Sequence, residues 1–217
     1  ELARRYDTEG ADELVFLDIA ASLENRGTRE AWVRGVAREL SIPFTVGGGV
    51  SSVEDARSLL RAGADKVAVN TAASLRPELV TELADAFGSQ CVVAAVDVKR
   101  DADLGWRVYL KGGTEPTERS AVDWLWELND LGAGEILLTS MDRDGTGDGF
   151  DLPLLDLASE LPIPLIASGG AGREVHFLEA LQHGADAVLA ATLFHEGILP
   201  IPRLKAYLAQ NDLSIRI

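Results

Sequence analysis

The 217-residue chain is 47% hydrophobic, enough to bury a full core. Its 20 basic and 35 acidic residues give a net charge of −15, which excludes the basic face that sequence-independent nucleic-acid binding requires. No apolar run reaches membrane-spanning length, and the single cysteine, Cys91, rules out an internal disulfide and agrees with a reducing, cytoplasmic setting.

In chain order, Glu1 to Tyr6 reads as the back half of a helix, closed by the polar turn Asp7-Thr8-Glu9-Gly10. Leu14 to Asp18 is a continuous apolar run ending in an acid, the mark of a strand buried on both faces. Trp32, Val33, Val36, Ala37 and Leu40 follow at helical spacing, and Pro43 precedes the next strand. Ser51 with Glu54 predicts a capping box for the helix after it. Lys66 to Val69 reads as a strand, and Pro77 opens another helix where its lack of an N–H costs nothing. Val92 to Asp97 is again an apolar strand that stops at an acid. Asp101 to Glu118 reads as a long polar loop holding a short hairpin at Trp106 to Leu110. A helix through Val122, Leu125 and Leu128 leads to the strand Glu135 to Thr139. Leu165 to Ser168 and Ala187 to Ala190 are the last two strands, and a helix near Arg203 to Ala209 closes the chain.

Alternating strands and helices with short connections imply a parallel α/β fold. An internal repeat selects a barrel. Thr45 to Thr71 matches Ile166 to Thr192 without a gap at an offset of 121, so Gly48, Gly49, Gly63-Ala64-Asp65 and Thr71 fall on Gly169, Gly170, Gly184-Ala185-Asp186 and Thr192. Residues 10–20 match 132–142 at an offset of 122. The expectation is a single-domain (β/α)8 barrel, a TIM barrel, built as half-barrels 1–90 and 91–217. The strand ending at Asp97 has no counterpart in the first half, so the repeat predicts a first strand ahead of Glu1, also ending in an acid. Length agrees, since seven units of about 31 residues fall one short of the roughly 250 typical of the fold.

In such a barrel the chemistry sits at the carboxyl ends of the strands. Each repeated unit puts glycines at one strand end and a hydroxyl at the next, so backbone N–H groups and a side-chain donor can converge on an anion. Two in-phase copies point to a ligand with a phosphate at each end, against the plainer reading of tight strand-to-helix turns. Asp97 reads equally as an acid–base group in the barrel mouth and as a helix cap or ion pair to Lys99 or Arg100. Asp144 reads as turn chemistry or as the acid facing Asp97. His176, His183, His195 and Cys91 form no ligand-spaced cluster, so neither a metal site nor a nucleophilic triad is expected. The tryptophans read as packing residues. At the opposite strand ends, Glu13, Lys66 and Glu135 are either solvated rim charges or an inward ring closing the barrel floor.

Taken together, VGGGV-SS-EDAR, RAGADKVAVNTAA, FGSQCVV, GAGEILLTSMDRDGT-DG-D, IASGGAG and Phe194-His195 resemble the cyclase subunit of imidazole glycerol phosphate synthase, over essentially the whole chain. The resemblance implies a cytoplasmic lyase of histidine biosynthesis that needs no cofactor. It would work as a heterodimer with a glutaminase, whose ammonia converts a phosphoribulosyl-formimino aminoimidazole carboxamide ribotide into imidazole glycerol phosphate and an aminoimidazole carboxamide ribotide. By the same resemblance Asp97 is one of two catalytic aspartates. Gly48, Gly49, Asn70 and Thr71 hold one phosphate, and Gly145, Gly170, Ala191 and Thr192 the other. Asp18, Thr139 and Asp144 lie beside substrate, and Glu13, Lys66 and Glu135 form an ammonia gate with Asp65 near the partner face. The family's other aspartate, a loop lysine and a gate arginine correspond to the expected first-strand region. Thr192 stands where serine is usual, and Ala20 where threonine is common. The alternatives are the sister isomerase, which needs no ammonia inlet, and a non-catalytic barrel fragment. The ring of Glu13, Lys66 and Glu135 and the Lys111-Gly-Gly loop favour the cyclase.

Overall fold

The computed structural model describes residues 1–18 and 30–216, so Ala20 lies outside the described residues. The first half runs α1 (Leu2–Thr8), β1 (Leu14–Leu17), α2 (Glu30–Ala37), β2 (Phe44–Gly47), α3 (Val53–Ala62), β3 (Lys66–Val69), α4 (Thr71–Leu75) and α5 (Glu78–Phe87). A short 3-10 turn (Ser89–Cys91) leads to β4 (Val92–Asp101), β5 (Gly105–Leu110), β6 (Glu115–Ser120), α6 (Ala121–Asp130) and β7 (Glu135–Ser140). Then come α7 (Leu152–Ala158), β8 (Leu165–Ser168), α8 (Glu174–Gln182), β9 (Ala187–Leu189), α9 (Thr192–His195) and α10 (Ile201–Gln210).

Among the described residues nine strands share one sheet, with path β1-β2-β3-β4-β7-β8-β9 and β5 and β6 attached to β4 as an antiparallel hairpin. Along that path every pair is parallel and the strand order never reverses. An open doubly wound sheet would reverse once, at its ligand crevice. The elements flanking the two ends of the sheet come together. Lys205 Nζ and Arg216 Nε donate to Asp12 Oδ1 at 2.8 and 2.9 Å, and Arg5 donates to the Phe194 carbonyl. This is a (β/α)8-barrel arrangement, with helices outside.

Strand alternation divides the core into two layers. Val46, Val67, Val69, Val92, Ala94, Val96, Ile136 and Leu138 point outward and join Val33, Leu59, Leu83 and Leu125 of the helices in the main cluster. Ala68, Val93 and Leu137 point inward and, with Ala95, Ile166 and Leu189, fill the lumen as a separate small cluster. Burial on both faces explains why these strands are unbroken apolar runs.

The Gly-Ala-Asp repeat has a structural purpose. Gly63 ends α3 at φ +112°, and Gly184 takes the same left-handed region at φ +91°. Each following aspartate then grips the start of the preceding strand. Asp65 accepts from the Phe44 N–H and donates its own N–H to the Phe44 carbonyl, both at 2.8 Å. Asp186 does the same with Leu165, both at 2.9 Å.

Three local expectations are corrected. The cap of α3 is Ser52, whose Oγ accepts from the Asp55 N–H at 3.1 Å, while Asp55 accepts from Ser51. The box therefore sits one residue later than Ser51 and Glu54. Residues 101–118 are mostly strand, because β4 extends to Asp101 and pairs with β5, and β5 pairs with β6. The short helices α4, α7 and α9 were not foreseen in the sequence.

Asp65→Ala and Asp186→Ala should each destabilise the fold by about 1–3 kcal/mol, through loss of a charge-assisted bond to a partly buried N–H. Urea unfolding followed by circular dichroism measures both, and the matched geometry requires matched losses.

Candidate active site at the strand ends

The carboxyl end of the barrel gathers the glycines, hydroxyls and acids. Asp18 follows β1 and is buried, and its N–H donates to the Gly47 carbonyl at 2.9 Å. Gly48, next to it, has φ +103°, and a Cβ there would lie 2.3 Å from the Asp18 carbonyl oxygen. Gly49 follows at φ +70°. Glycine is therefore required at Gly48 both by conformation and by close approach. Gly170, in the second copy, has φ +107° and would bring a Cβ to 2.1 Å from the Gly149 carbonyl oxygen. Its own carbonyl accepts from the Gly149 N–H at 2.7 Å. Gly145 has φ +75° with open space around it.

Asn70 and Thr71 open the one-turn helix α4, as Ala191 and Thr192 open α9. The two units lie on β2–β3 and β8–β9, four strand positions apart along the sheet path. Four positions are half a turn of an eight-stranded barrel.

Asp97 stands between them on β4. Asn70 Nδ2 donates to its Oδ2 at 2.9 Å, and Thr139, its register partner on β7, also hydrogen-bonds to it. The ordinary alternatives, a helix cap or an ion pair to Lys99 or Arg100, are not what the side chain does. Burial pushes the Asp97 carboxyl above the usual aspartate value, and the charge of Asp144 adds to the rise; the bonds from Asn70 and Thr139 oppose it without cancelling it. Asp144 is held by its N–H, which donates to the Ser140 carbonyl at 2.9 Å. A partly buried acid with a raised pKa and a second carboxylate nearby is suited to proton transfer.

The other end of the barrel carries the charged floor. Lys66 Nζ lies 2.8 Å from Glu13 Oε2 and 2.6 Å from Glu135 Oε1, and Glu13 Oε1 accepts from the Thr45 hydroxyl. All three charged side chains are largely buried, so they are not solvated rim charges. Burial alone would lower the Lys66 pKa, but bonds from both carboxylates outweigh it and the net shift is upward. Glu135 Oε2 is buried with no hydrogen-bond partner among the described residues. Asp65 is occupied at the start of β2, as described above.

Two supporting groups carry no legible signal in the sequence. Asp151 accepts from Trp106 Nε1–H at 3.1 Å and from the Ser140 hydroxyl at 3.0 Å, joining the hairpin to β7. His176 is buried, and its Nδ1 accepts from the Gly172 N–H at 3.1 Å beside the second glycine turn. The spacing from Gly172 to His176, one helical turn, is the only clue to that bond. No group of three or more His, Cys, Asp or Glu side chains among the described residues is placed to hold a metal ion, and no helix there is long and apolar enough to cross a membrane. A surface hollow of about 800 Å3 lies away from the mouth, between Arg4, Arg5, Glu9 and Glu39, whose charges are already paired with one another.

Lys66→Met leaves two carboxylates facing each other without their shared cation. It should cost about 1–3 kcal/mol of stability at neutral pH, recovered in part by adding Glu13→Gln and Glu135→Gln. The raised Lys66 pKa means this contribution is complete at neutral pH and is lost only as pH rises through the lysine's elevated folded value. Chemical unfolding of the single and triple variants measures it.

Known proteins share these features. A family described as histidine biosynthesis protein matches residues 1–200. Imidazole glycerol phosphate synthase subunit HisF of Geobacillus kaustophilus is 57% identical over 219 residues, covering 100% of this chain and 87% of that protein. The subunit of the same name from Dictyoglomus thermophilum is 52% identical over 218 residues, covering 100% of this chain and 86% of that one. The chain belongs to the histidine biosynthesis family and, within it, to the HisF subunits of imidazole glycerol phosphate synthase.

Proposed function

We propose that this chain is the ammonia-using cyclase of imidazole glycerol phosphate synthase. It would act as a lyase with a glutaminase partner on phosphoribulosyl-formimino aminoimidazole carboxamide ribotide, in the cytoplasm. The observation that carries the reading is Asp97, a partly buried carboxyl with a raised pKa set between two glycine-and-hydroxyl units half a barrel apart. A bisphosphate spanning those units lays its middle across Asp97. One phosphate meets Gly48, Gly49, Asn70 and Thr71, and the other meets Gly145, Gly170, Ala191 and Thr192. Adding ammonia to a carbonyl and closing an imidazole ring both require proton transfers, which Asp97 serves with Asp144, Asp18 and Thr139 beside the substrate.

The floor supports the cyclase over the isomerase. Glu13, Lys66 and Glu135 form a polar closure at the end opposite the mouth, where a small nucleophile would enter from a partner seated near Asp65. An isomerase needs no such inlet. The matched grips of Asp65 and Asp186 support reading 1–90 and 91–217 as half-barrels of one domain.

In the full-length protein given ribotide and ammonium salt, loss of substrate absorbance should be seen, and Asp97→Asn should lower kcat by at least about 100-fold. Turnover of the unrearranged precursor without ammonia would favour the isomerase instead. Because its folded pKa is raised, Asp97 penalises the fold above the ordinary carboxylate range, where it must ionise while buried. Asp97→Asn should therefore raise Tm at pH 7, with the gain shrinking as pH falls toward that range. Asp144→Asn removes the neighbouring charge, so any acidic limb of kcat/KM due to Asp97 should move to lower pH.

A further inference from the structure

The β5–β6 hairpin follows β4 and reaches the first phosphate unit. Its turn, Lys111 to Thr114, is tightly built. Gly113 N–H and Thr114 N–H both donate to the Leu110 carbonyl, at 3.1 and 3.0 Å, and the Thr114 hydroxyl donates to the Lys111 carbonyl at 2.9 Å. Lys111 takes φ +52°, a left-handed conformation uncommon outside glycine. Gly113 takes φ +84°, a conformation that residues with a side chain rarely adopt. The outcome of this construction is a single bond across the mouth: Lys111 N–H donates to Thr71 Oγ1 at 2.9 Å.

We propose that the hairpin is a positioning element for the first phosphate site, acting through this bond to set Thr71 as an obligate donor; the inference rests on the phosphate reading given above. A threonine hydroxyl has one hydrogen to donate and two lone pairs to accept with, and its rotor turns freely until one of them is held. With its oxygen already accepting from a backbone N–H, its hydrogen is left for the ligand. Polarisation by the incoming N–H strengthens that donation. Thr192, the matching residue, receives no backbone N–H on its hydroxyl among the described residues. The Lys111 ammonium takes no part, being paired with Glu115 at 2.7 Å.

The test is orthophosphate titration of the 15N-labelled protein, reading the amides of Gly49 and Thr71 for the first site and of Gly170 and Thr192 for the second. Installing the α-hydroxy analogue of lysine at position 111 by nonsense suppression replaces its N–H by an ester oxygen and so deletes the donor while keeping the turn. That change should weaken the first site about tenfold, the scale of one hydrogen bond to a charged acceptor, and leave the second unchanged. Thr71→Val should weaken the first site by a similar factor, Thr71→Ser should restore it, and combining the ester with Thr71→Val should add no further loss. An unchanged first site, multiplying losses, or equal weakening of both sites would each overturn the hairpin's role. No shift at either site in the parent protein would overturn it together with the phosphate reading, an outcome distinct from the other three.

Discussion

A parallel sheet has one polarity, and that constraint organises this molecule. Every βα turn emerges on one face and every αβ turn on the other, so residues far apart in the chain are sorted by strand end alone. Asp18, Gly48, Asn70, Asp97, Thr139, Gly170 and Thr192 come from seven strands, yet all follow or close a carboxyl end. Glu13, Lys66 and Glu135 come from three strand starts and meet around one ammonium group. The lumen between is filled by Ala68, Val93, Leu137 and their neighbours, which isolate the charged floor from the acidic mouth. Carboxylates at both ends are thus kept apart by packing and tuned independently. At the floor they stabilise a cation, and at the mouth burial drives Asp97 toward its neutral form.

The twofold repeat is faithful where it serves the fold and broken where it serves the site. Asp65 and Asp186 hold the starts of β2 and β8 through the same pair of bonds. Gly48 and its counterpart Gly169 both take a left-handed φ with a carbonyl oxygen close by, that of Asp18 and that of Ser140. Thr71 receives the hairpin turn on its hydroxyl, and Asn70 bonds to Asp97 where its counterpart, Ala191, has no side-chain donor. These differences are carried by side chains rather than by the frame.

Much of this was legible in the sequence for physical reasons. Buried parallel strands leave continuous apolar runs, and gapless repetition at an offset of 121 preserves turns that only glycine can make. Other features were not legible. Whether Asp97 caps, pairs or sits in the mouth depends on Asn70, 27 residues earlier, and on a register partner on β7. The cap of α3 was misplaced because Ser51-Ser52 and Glu54-Asp55 are doublets that allow either frame. Strand β6, Glu115 to Ser120, shows no apolar alternation because it lies at the outer edge of the hairpin, and so it read as loop. Helices α4 and α9 span five and four residues, too few to show a helical period. Asp151 reads as an unremarkable loop acid until Trp106 and Ser140 are brought to it.

The account's central claim is that one bisphosphate spans the mouth with its reacting centre over Asp97. A crystal structure of the full-length Asp97→Asn protein with the ribotide bound tests this most directly. The account predicts one phosphate at Gly48, Gly49 and Thr71, the other at Gly170 and Thr192, and the linking atoms within hydrogen-bonding reach of position 97. Ligand bound through a single phosphate, or with its linker turned away from that position, would contradict it.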